Sequence, residues 1–271
     1  MNLPLGIFSM TETSNSYMFC NCTQSFIEKG YVVFKQLLDS DHVDLIWEKA
    51  KSLIAIEVTR TDPHPYHAVI FSIHQLSVKH PAFKPFITLP ETAEIASILL
   101  GGQVRVLLDQ LICKPTGARP TIPHQDAPFL PLGEQPTVNC WIPLSNVNTE
   151  NGALIYYEGS HRLPILPLVH LDGEPEQLNP DKEGLTGRSI PMSVGDCVFH
   201  DGRIVHAASG NSSGNHRYAI SVQYMKEGAL AHKPIHPFMQ EIGIYPGVHM
   251  THDCFPRPRI LRKLPISEQL K

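Results

Sequence analysis

Hydrophobic positions in the first hundred residues follow one strand-like and two helix-like patterns. Residues 31–34 are β-branched or aromatic, which predicts a strand. Apolar residues then recur at helical spacing from 43 to 50 and predict an amphipathic helix over about residues 41–55. A second helix is predicted over residues 91–100, where two consecutive glycines end it.

From residue 104 onward the hydrophobic residues form short β-rich runs separated by proline, glycine or asparagine. Such runs, with no helical pattern between them, are typical of an all-β sandwich or barrel. Residues 162–188 are polar and rich in proline and glycine, which predicts a long surface insertion, and residues 228–265 show little periodicity. The predicted strands are Val104–Cys113, Thr137–Leu144, Ala153–Tyr157, Cys197–His200, Arg203–His206 and Tyr218–Tyr224.

The composition favours one domain over residues 1–271. A chain of 271 residues can bury one large core, and no Gly/Ser-rich or charged linker divides it. The 24 prolines agree with a loop-rich β architecture. The net charge is −4, with 22 Lys+Arg against 26 Asp+Glu and no basic patch, so we expect no nucleic-acid partner.

The same sequence gives no sign of membrane insertion or secretion. No run approaches the ~20 apolar residues of a membrane span, and the first ten residues lack the basic and apolar regions of a signal peptide. We therefore expect a cytoplasmic monomer or homodimer that binds a small molecule. The six cysteines include no CxxC pair, which predicts reduced thiols, with Cys113, Cys140 and Cys197 buried as packing residues.

A His-x-Asp motif is the first candidate for chemistry. Two imidazoles and one carboxylate on one face of an iron(II) ion leave three positions open for other ligands. On a strand, residues i and i+2 point to the same side, so His-x-Asp can supply two of the three ligands. The motif occurs at 42–44, 124–126 and 170–172. The first lies in a predicted helix and the third in the predicted insertion, which leaves His124 and Asp126.

The third ligand must come from another strand. His206 ends the segment 195–206, in which a Gly-Asp turn, a strand, an Asp-Gly turn and a second strand are predicted. His200 in the same segment is a competitor, and the local pattern does not decide between the two. Most of the 15 histidines have no metal to bind.

Several segments, taken in order, resemble the phytanoyl-CoA dioxygenase family of iron(II)/2-oxoglutarate oxygenases. The resemblance covers roughly residues 24–226, and the order of its motifs is more specific than any one of them. The matching segments are Phe26–Leu38, Lys114-Pro115, Pro123–Asp126, Trp141–Leu144, Glu150–Leu154, Glu158–Arg162, Gly195-Asp196, His206 and Arg217.

This resemblance implies a mainly β fold, a double-stranded β-helix (jelly roll, cupin-like) with flanking α-helices. It implies that His124, Asp126 and His206 bind Fe(2+). It also implies that Arg217 binds the far carboxylate of 2-oxoglutarate, which suits a planar guanidinium.

Further pocket residues follow from the resemblance and from strand parity. Gln110 and Trp141 match positions that line the co-substrate pocket in family members. A small polar residue common in the family is Ala208 here, and Ser209 is a candidate replacement. If Trp141 and Arg217 face inward, so do other residues of alternate parity on their strands. These predict co-substrate or substrate contacts, or polar pairs with each other, for Asn139, Ser221 and Gln223.

The implied activity is oxidation of an unactivated C–H bond, by default hydroxylation. 2-Oxoglutarate and O2 would be consumed, and succinate and CO2 released. Because Asp126 is retained, halogenation is not expected. Two alternatives stay open: a non-catalytic cupin-like protein that binds a metal or small ligand, and a metal-dependent cupin isomerase.

The substrate is expected to be a small polar metabolite or an intermediate of secondary metabolism. No cluster of Lys and Arg supports a CoA thioester or other polyphosphate. Substrate contacts are expected from the variable segments 57–80, 162–188 and 228–258. The insertion 162–188 and the C-terminal segment 228–271 are therefore predicted to form a lid or substrate region. Their candidate residues are His64, Tyr66, His67, His232, His236, Tyr245 and His249.

Overall fold

A computed structural model describes residues 7–9, 15–57, 71–167, 178–233 and 237–260. Within these ranges the helices are α1 (Asn15–Lys29), α2 (Ser40–Glu57), α3 (Leu76–Lys79), α4 (Lys84–Ile87), α5 (Pro90–Leu100) and α6 (Pro237–Glu241). The strands are β1 (Ile7–Ser9), β2 (Tyr31–Lys35), β3 (Phe71–His74), β4 (Val104–Lys114), β5 (Thr121–His124), β6 (Thr137–Pro143), β7 (Leu154–Tyr157), β8 (Gly187–Ile190), β9 (Cys197–Asp201), β10 (His206–Ala208) and β11 (Arg217–Lys226).

Within the described ranges, eleven strands form two facing sheets. The large sheet has the order β1-β2-β9-β6-β11-β4-β3 and the small sheet β5-β10-β7-β8. From β4 onward the chain passes repeatedly between the two sheets, and these pairings are antiparallel; β1 alone pairs in parallel. This arrangement is a double-stranded β-helix, so the predicted jelly roll with flanking helices is confirmed.

Strand parity decides which side chains face the helices and which face the interior between the sheets. On β6 and β11, alternate residues such as Cys140 and Val222 pack with the helices in the main hydrophobic core. The intervening residues, among them Trp141 and Ala219, line the space between the sheets. Because side chains of a strand alternate between its two faces, this second set can build a site inside the barrel.

The segment after β11 packs on the end of the large sheet. Met239, Ile244 and Phe255 form a separate hydrophobic cluster with Leu132 of the loop after β5 and Met225 of β11. Part of the predicted C-terminal lid region is therefore anchored to the barrel. Its candidate His236 lies outside the described residues, as do His64, Tyr66 and His67 in the segment 57–80.

The predicted strand Arg203–His206 is wrong for its first three residues, because Asp201 accepts from the amides of Arg203 and Ile204 and forms a turn instead. Among the described cysteines no disulfide forms, and Cys113, Cys140 and Cys197 are buried, as predicted. Within the described ranges, no helix has the length and apolar character needed to cross a membrane.

Candidate metal centre

His124 and His206 face each other across two hydrogen-bonded strands of the small sheet. His124 is the last residue of β5, His206 is the first of β10, and the two are register partners. Their ring centroids lie 4.2 Å apart. The direct pairing of two distant segments thus delivers both imidazoles to one place in the interior.

Asp126 completes a cluster of three metal-binding side chains. Its Oδ1 lies 3.8 Å from Nε2 of His124 and 3.7 Å from Nε2 of His206. One ligand atom from each of the three residues falls within 4.8 Å of the others. The sequence prediction that His124 and Asp126 share one face of a single strand is wrong. β5 ends at His124, and Asp126 has helical backbone angles as it leads into a 3₁₀ turn at Ala127–Phe129.

A hydrogen bond from Nδ1 to a backbone carbonyl fixes the ring orientation of both histidines. Nδ1 of His124 lies 2.9 Å from the carbonyl oxygen of Ile122, and Nδ1 of His206 lies 3.1 Å from that of Ile204. A carbonyl can only accept, so each Nδ1 carries the proton and each Nε2 presents a lone pair to the cluster. This is the usual way in which a protein prepares histidine for a metal.

The protonation states also suit a cation. Burial, and then the neighbouring His124, lower the pKa of His206 to about 3, so its imidazole is neutral at physiological pH. Burial alone would raise the pKa of Asp126. The surrounding His206, His200 and His124 outweigh that effect and hold the pKa well below its usual range. Neutral imidazoles and an ionised carboxylate are the forms that bind metals.

His200, the competing third ligand, lies behind Asp126. Its Nε2 is 3.4 Å from Oδ2 of Asp126, the oxygen that is not shared with the other two histidines. Its Nδ1 is 2.8 Å from the hydroxyl of Tyr156. Within the described residues the three-ligand cluster comprises His124, Asp126 and His206, so His206 is the geometrically favoured ligand.

A second feature of the interior is a pair of buried cations. Lys114 and Arg217 are register partners on β4 and β11, with side chains 0% and 2% exposed. Lys114 Nζ donates to Thr121 Oγ1, while Nε and Nη1 of Arg217 have no hydrogen-bond partner. The Arg217 guanidinium lies over the Trp141 ring, 5.2 Å from its centroid.

No carboxylate of the described residues forms an ion pair with either cation. Burial, and then Arg217, lower the pKa of Lys114 to about 7, and burial lowers the pKa of Arg217 to about 10. When both groups are charged, two cations directly opposite each other in a buried interior destabilise the fold. The arrangement is therefore suited to receiving an anion.

The cation pair lies close to the metal-binding cluster. Thr121, the partner of Lys114, faces Ala208, which is two residues along β10 from His206. Two residues of strand span about 7 Å. A small molecule with an anionic group at each end could therefore reach from one feature to the other.

Of the remaining predicted pocket residues, Gln110, Asn139, Ser221 and Gln223 lie on β4, β6 and β11, and Ser209 directly follows β10. Ser221 Oγ donates to Asn139 Oδ1, and Asn139 Nδ2 lies 3.4 Å from Oδ2 of Asp126. The alternative of polar residues pairing with each other is thus seen for Asn139 and Ser221. Gln110 is the half-buried register partner of Ser221. Gln223 Nε2 and Ser209 Oγ are buried without a partner.

The sequence alone assigns no role at the site to Lys114 or Tyr156. Lys114 belongs to a Lys-Pro pair that matches the family, and Tyr156 lies in a predicted strand. Their positions depend on strand register, which local sequence does not encode. A lysine that ends an apolar strand such as β4 is nevertheless a usable signal, because a buried lysine needs an anion or a low pKa.

Gly152 packs closely against the side chains of Lys114 and Arg217. It adopts φ +101°, and a Cβ there would lie 2.6 Å from Lys114 Cδ and 3.3 Å from Arg217 Nη2. We expect Gly152→Ala to destabilise the protein by more than about 1 kcal/mol and to displace both cations. Denaturant unfolding measures the first effect, and binding of a dicarboxylate measures the second.

Gly184→Ala is the matched control, because Gly184 also has positive φ (+65°) but a Cβ there meets nothing within 4 Å. It should share the backbone strain and leave anion binding unchanged. Equal anion affinity in both variants would contradict the packing role of Gly152.

Comparison with known proteins gives one family and a consistent fold. The family model described as phytanoyl-CoA dioxygenase (PhyH) matches residues 26–219. Peroxisomal phytanoyl-CoA dioxygenase of Bos taurus is 22% identical over 224 residues, which cover 73% of this chain and 65% of that protein. The match thus spans slightly less than two thirds of that curated relative.

Two solved structures share the fold over nearly their whole length. The epimerase SnoN, crystallised with Fe3+, alpha-ketoglutarate and nogalamycin RO, is 24% identical with a TM-score of 0.76, and covers 89% of this chain and 98% of its own. The carbocyclase SnoK from nogalamycin biosynthesis is 25% identical with a TM-score of 0.75, and covers 92% of this chain and 100% of its own.

Proposed function

This chain belongs to the phytanoyl-CoA dioxygenase (PhyH) family, and from that premise we propose that it is an iron(II)- and 2-oxoglutarate-dependent oxygenase of a small-molecule metabolite. One observation carries the proposal: a three-ligand cluster and a buried, unpaired cation pair lie in the same barrel interior. A protein that only stored a metal would have no need of the cation pair, which destabilises the empty fold.

The residues present fit both implied groups. His124, Asp126 and His206 are a two-histidine, one-carboxylate set, which suits iron(II) and leaves positions open. 2-Oxoglutarate has a carboxylate at each end. Its far carboxylate would meet Arg217 and Lys114, about 7 Å of strand from the metal ligands.

Iron, when bound, would let O2 oxidise 2-oxoglutarate and a substrate C–H bond together. One oxygen atom would enter succinate, the other would enter the hydroxylated product, and CO2 would be released. The chain's own residues bind and orient. Arg217 holds the far carboxylate in a charge-assisted pair while its other face stays on Trp141. Gln110 and Ser209 would line the co-substrate, and Gln223 would contact co-substrate or substrate. Asn139 and Ser221, which bond to each other beside Asp126, would contact a ligand only through their remaining polar atoms.

For the substrate, we propose a secondary metabolite with an apolar face. Two exposed apolar side chains flank the His-x-Asp motif: Phe129 is 62% exposed and Ile122 is 36% exposed. Solved structures similar to this chain include an epimerase and a carbocyclase of nogalamycin biosynthesis. Hydroxylation is the proposed outcome, and the described parts of the segments 162–188 and 228–258 (162–167, 178–188, 228–233 and 237–258) would complete the substrate pocket of a single domain.

The test is succinate release by protein reconstituted anaerobically with iron(II) and then supplied with 2-oxoglutarate, O2 and a metabolite extract. Substrate-dependent succinate is the expected result. In parallel, anaerobic titration of the iron(II) form with 2-oxoglutarate should produce a charge-transfer absorption band. A metal-binding cupin without turnover would release no succinate, and a cupin isomerase would bind metal and show no band.

A further inference from the structure

His200 bridges the carboxylate of Asp126 and the hydroxyl of Tyr156 inside the barrel. Its Nε2 lies 3.4 Å from Asp126 Oδ2, and its Nδ1 lies 2.8 Å from the Tyr156 oxygen. His200 is 2% exposed and Tyr156 is fully buried. Both hydrogen bonds of His200 are therefore made inside the protein and not at its surface.

The direction of both hydrogen bonds follows from the chemistry of the groups. An ionised carboxylate can only accept, so Nε2 of His200 carries a proton and donates it to Asp126. The hydroxyl of Tyr156 can donate to Nδ1 of that ring, 2.8 Å away, which leaves the Nε2 proton for the carboxylate. Tyr156 thereby fixes which nitrogen of His200 faces the carboxylate.

The rest of the fold holds this pair in place. His200 is the register partner of Tyr31 on β2 and of Asn139 on β6, so its backbone lies inside the large sheet. The ring of Tyr156 stacks on that of Tyr31, with centroids 4.5 Å apart and planes at 14°. Tyr31 in turn donates to Glu158 through a 2.8 Å hydrogen bond. His200 and Tyr156 are thus positioned from both sheets.

The two oxygens of Asp126 have different surroundings. Oδ1 faces Nε2 of His124 and of His206, whereas Oδ2 faces Nε2 of His200 and the amide of Asn139. Three protein ligands leave three positions at an octahedral iron, which co-substrate and oxygen need. If Oδ2 also turned to the metal, it would occupy one of those positions.

We propose that His200, oriented by Tyr156, is a positioning residue that keeps Asp126 bound to the metal through Oδ1 alone and so keeps the oxygen position open. This inference rests on the proposed function, since it requires Asp126 to be a metal ligand. It assigns His200 a role other than that of a ligand, and it gives Tyr156 a role at the site without direct contact with the metal-binding atoms.

The test uses nitric oxide as a probe of the open position. Full-length protein is loaded with iron(II) and 2-oxoglutarate without O2, and nitric oxide binding is followed by electron paramagnetic resonance. His200→Leu removes the hydrogen bond, and we expect its nitric oxide affinity to fall about 10- to 150-fold, because hydrogen bonds to charged groups are the strong ones. His200→Gln can still donate an N–H and should recover most of the affinity.

Tyr156→Phe is the milder variant and keeps the ring stack with Tyr31. It removes one neutral hydrogen bond, so we expect a smaller loss of about 2- to 12-fold. The matched controls are His161→Leu and Tyr224→Phe. His161 is buried with its ring bonded to the carbonyl of Ile27, and Tyr224 is buried with its hydroxyl bonded to Thr92, away from the metal ligands.

The outcomes separate this inference from the proposed function. Wild-type protein that binds neither iron nor 2-oxoglutarate would overturn both. If wild type binds both, unchanged nitric oxide affinity in His200→Leu and Tyr156→Phe would overturn the inference alone. A loss that His161→Leu reproduces would also overturn it, since any damage to the buried structure would then suffice.

Discussion

Asp126→Ala is expected to abolish substrate-dependent succinate release and to weaken iron(II) binding by more than about 100-fold. Loss of residues that merely support a metal ligand costs about 10- to 100-fold, so loss of a ligand should cost more. The carboxylate also provides the only negative charge in the three-ligand cluster, whose other two members are imidazoles. Iron affinity measured against a competing chelator, and succinate measured after aerobic turnover, report the two effects.

Asp44→Ala is the matched control, because Asp44 ends another His-x-Asp motif in the same chain. That motif lies at the exposed start of α2, where residues i and i+2 do not share a face. The control should keep wild-type iron affinity and activity. Wild-type succinate release in Asp126→Ala would reject the ligand assignment.

Arg217→Met is expected to weaken 2-oxoglutarate binding by at least about 100-fold while leaving the ligand-free protein as stable as wild type, or more stable. Removing one partner of a buried ion pair costs about 3–5 kcal/mol, which here is lost from the complex. In the free protein Arg217 has no acidic partner among the described residues and faces Lys114, so its charge opposes folding. Anaerobic titration and denaturant unfolding measure the two opposite effects.

Arg105→Met provides the contrast, since Arg105 pairs with Glu227 at 3.0 Å and donates to the carbonyl of Phe255. It should lose some stability and retain co-substrate affinity. If Arg217→Met instead destabilised the free protein and bound 2-oxoglutarate normally, Arg217 would be a structural residue.

Much of the fold could be predicted because it depends on alternation along single strands. The runs that became β4, β6, β9 and β11 carry enough apolar residues to be recognised alone. The short strands β5 and β8 were missed, because Thr121–His124 and Gly187–Ile190 are mostly half-exposed and contain proline or glycine. Their strand state comes from their neighbours in the small sheet and not from their own sequence.

The site residues could be predicted only where the order of the family's motifs along the chain identified them. His200 and His206 are equivalent as local patterns, and the structure separates them by sheet: β9 belongs to the large sheet and β10 to the small one. The pairing of Lys114 with Arg217 depends on the register between β4 and β11. That register is set by closure of the whole barrel, so the sequence offered Arg217 through resemblance and no role for Lys114.

The ladder between β5 and β10 is short, and its register shifts between His206 and Ala208. Strands of four and three residues have few hydrogen bonds with which to resist slippage. A slip of a single residue would rotate one imidazole out of the barrel. An ion held by both His124 and His206 would therefore select one alignment of these strands, and its departure would loosen that edge of the small sheet.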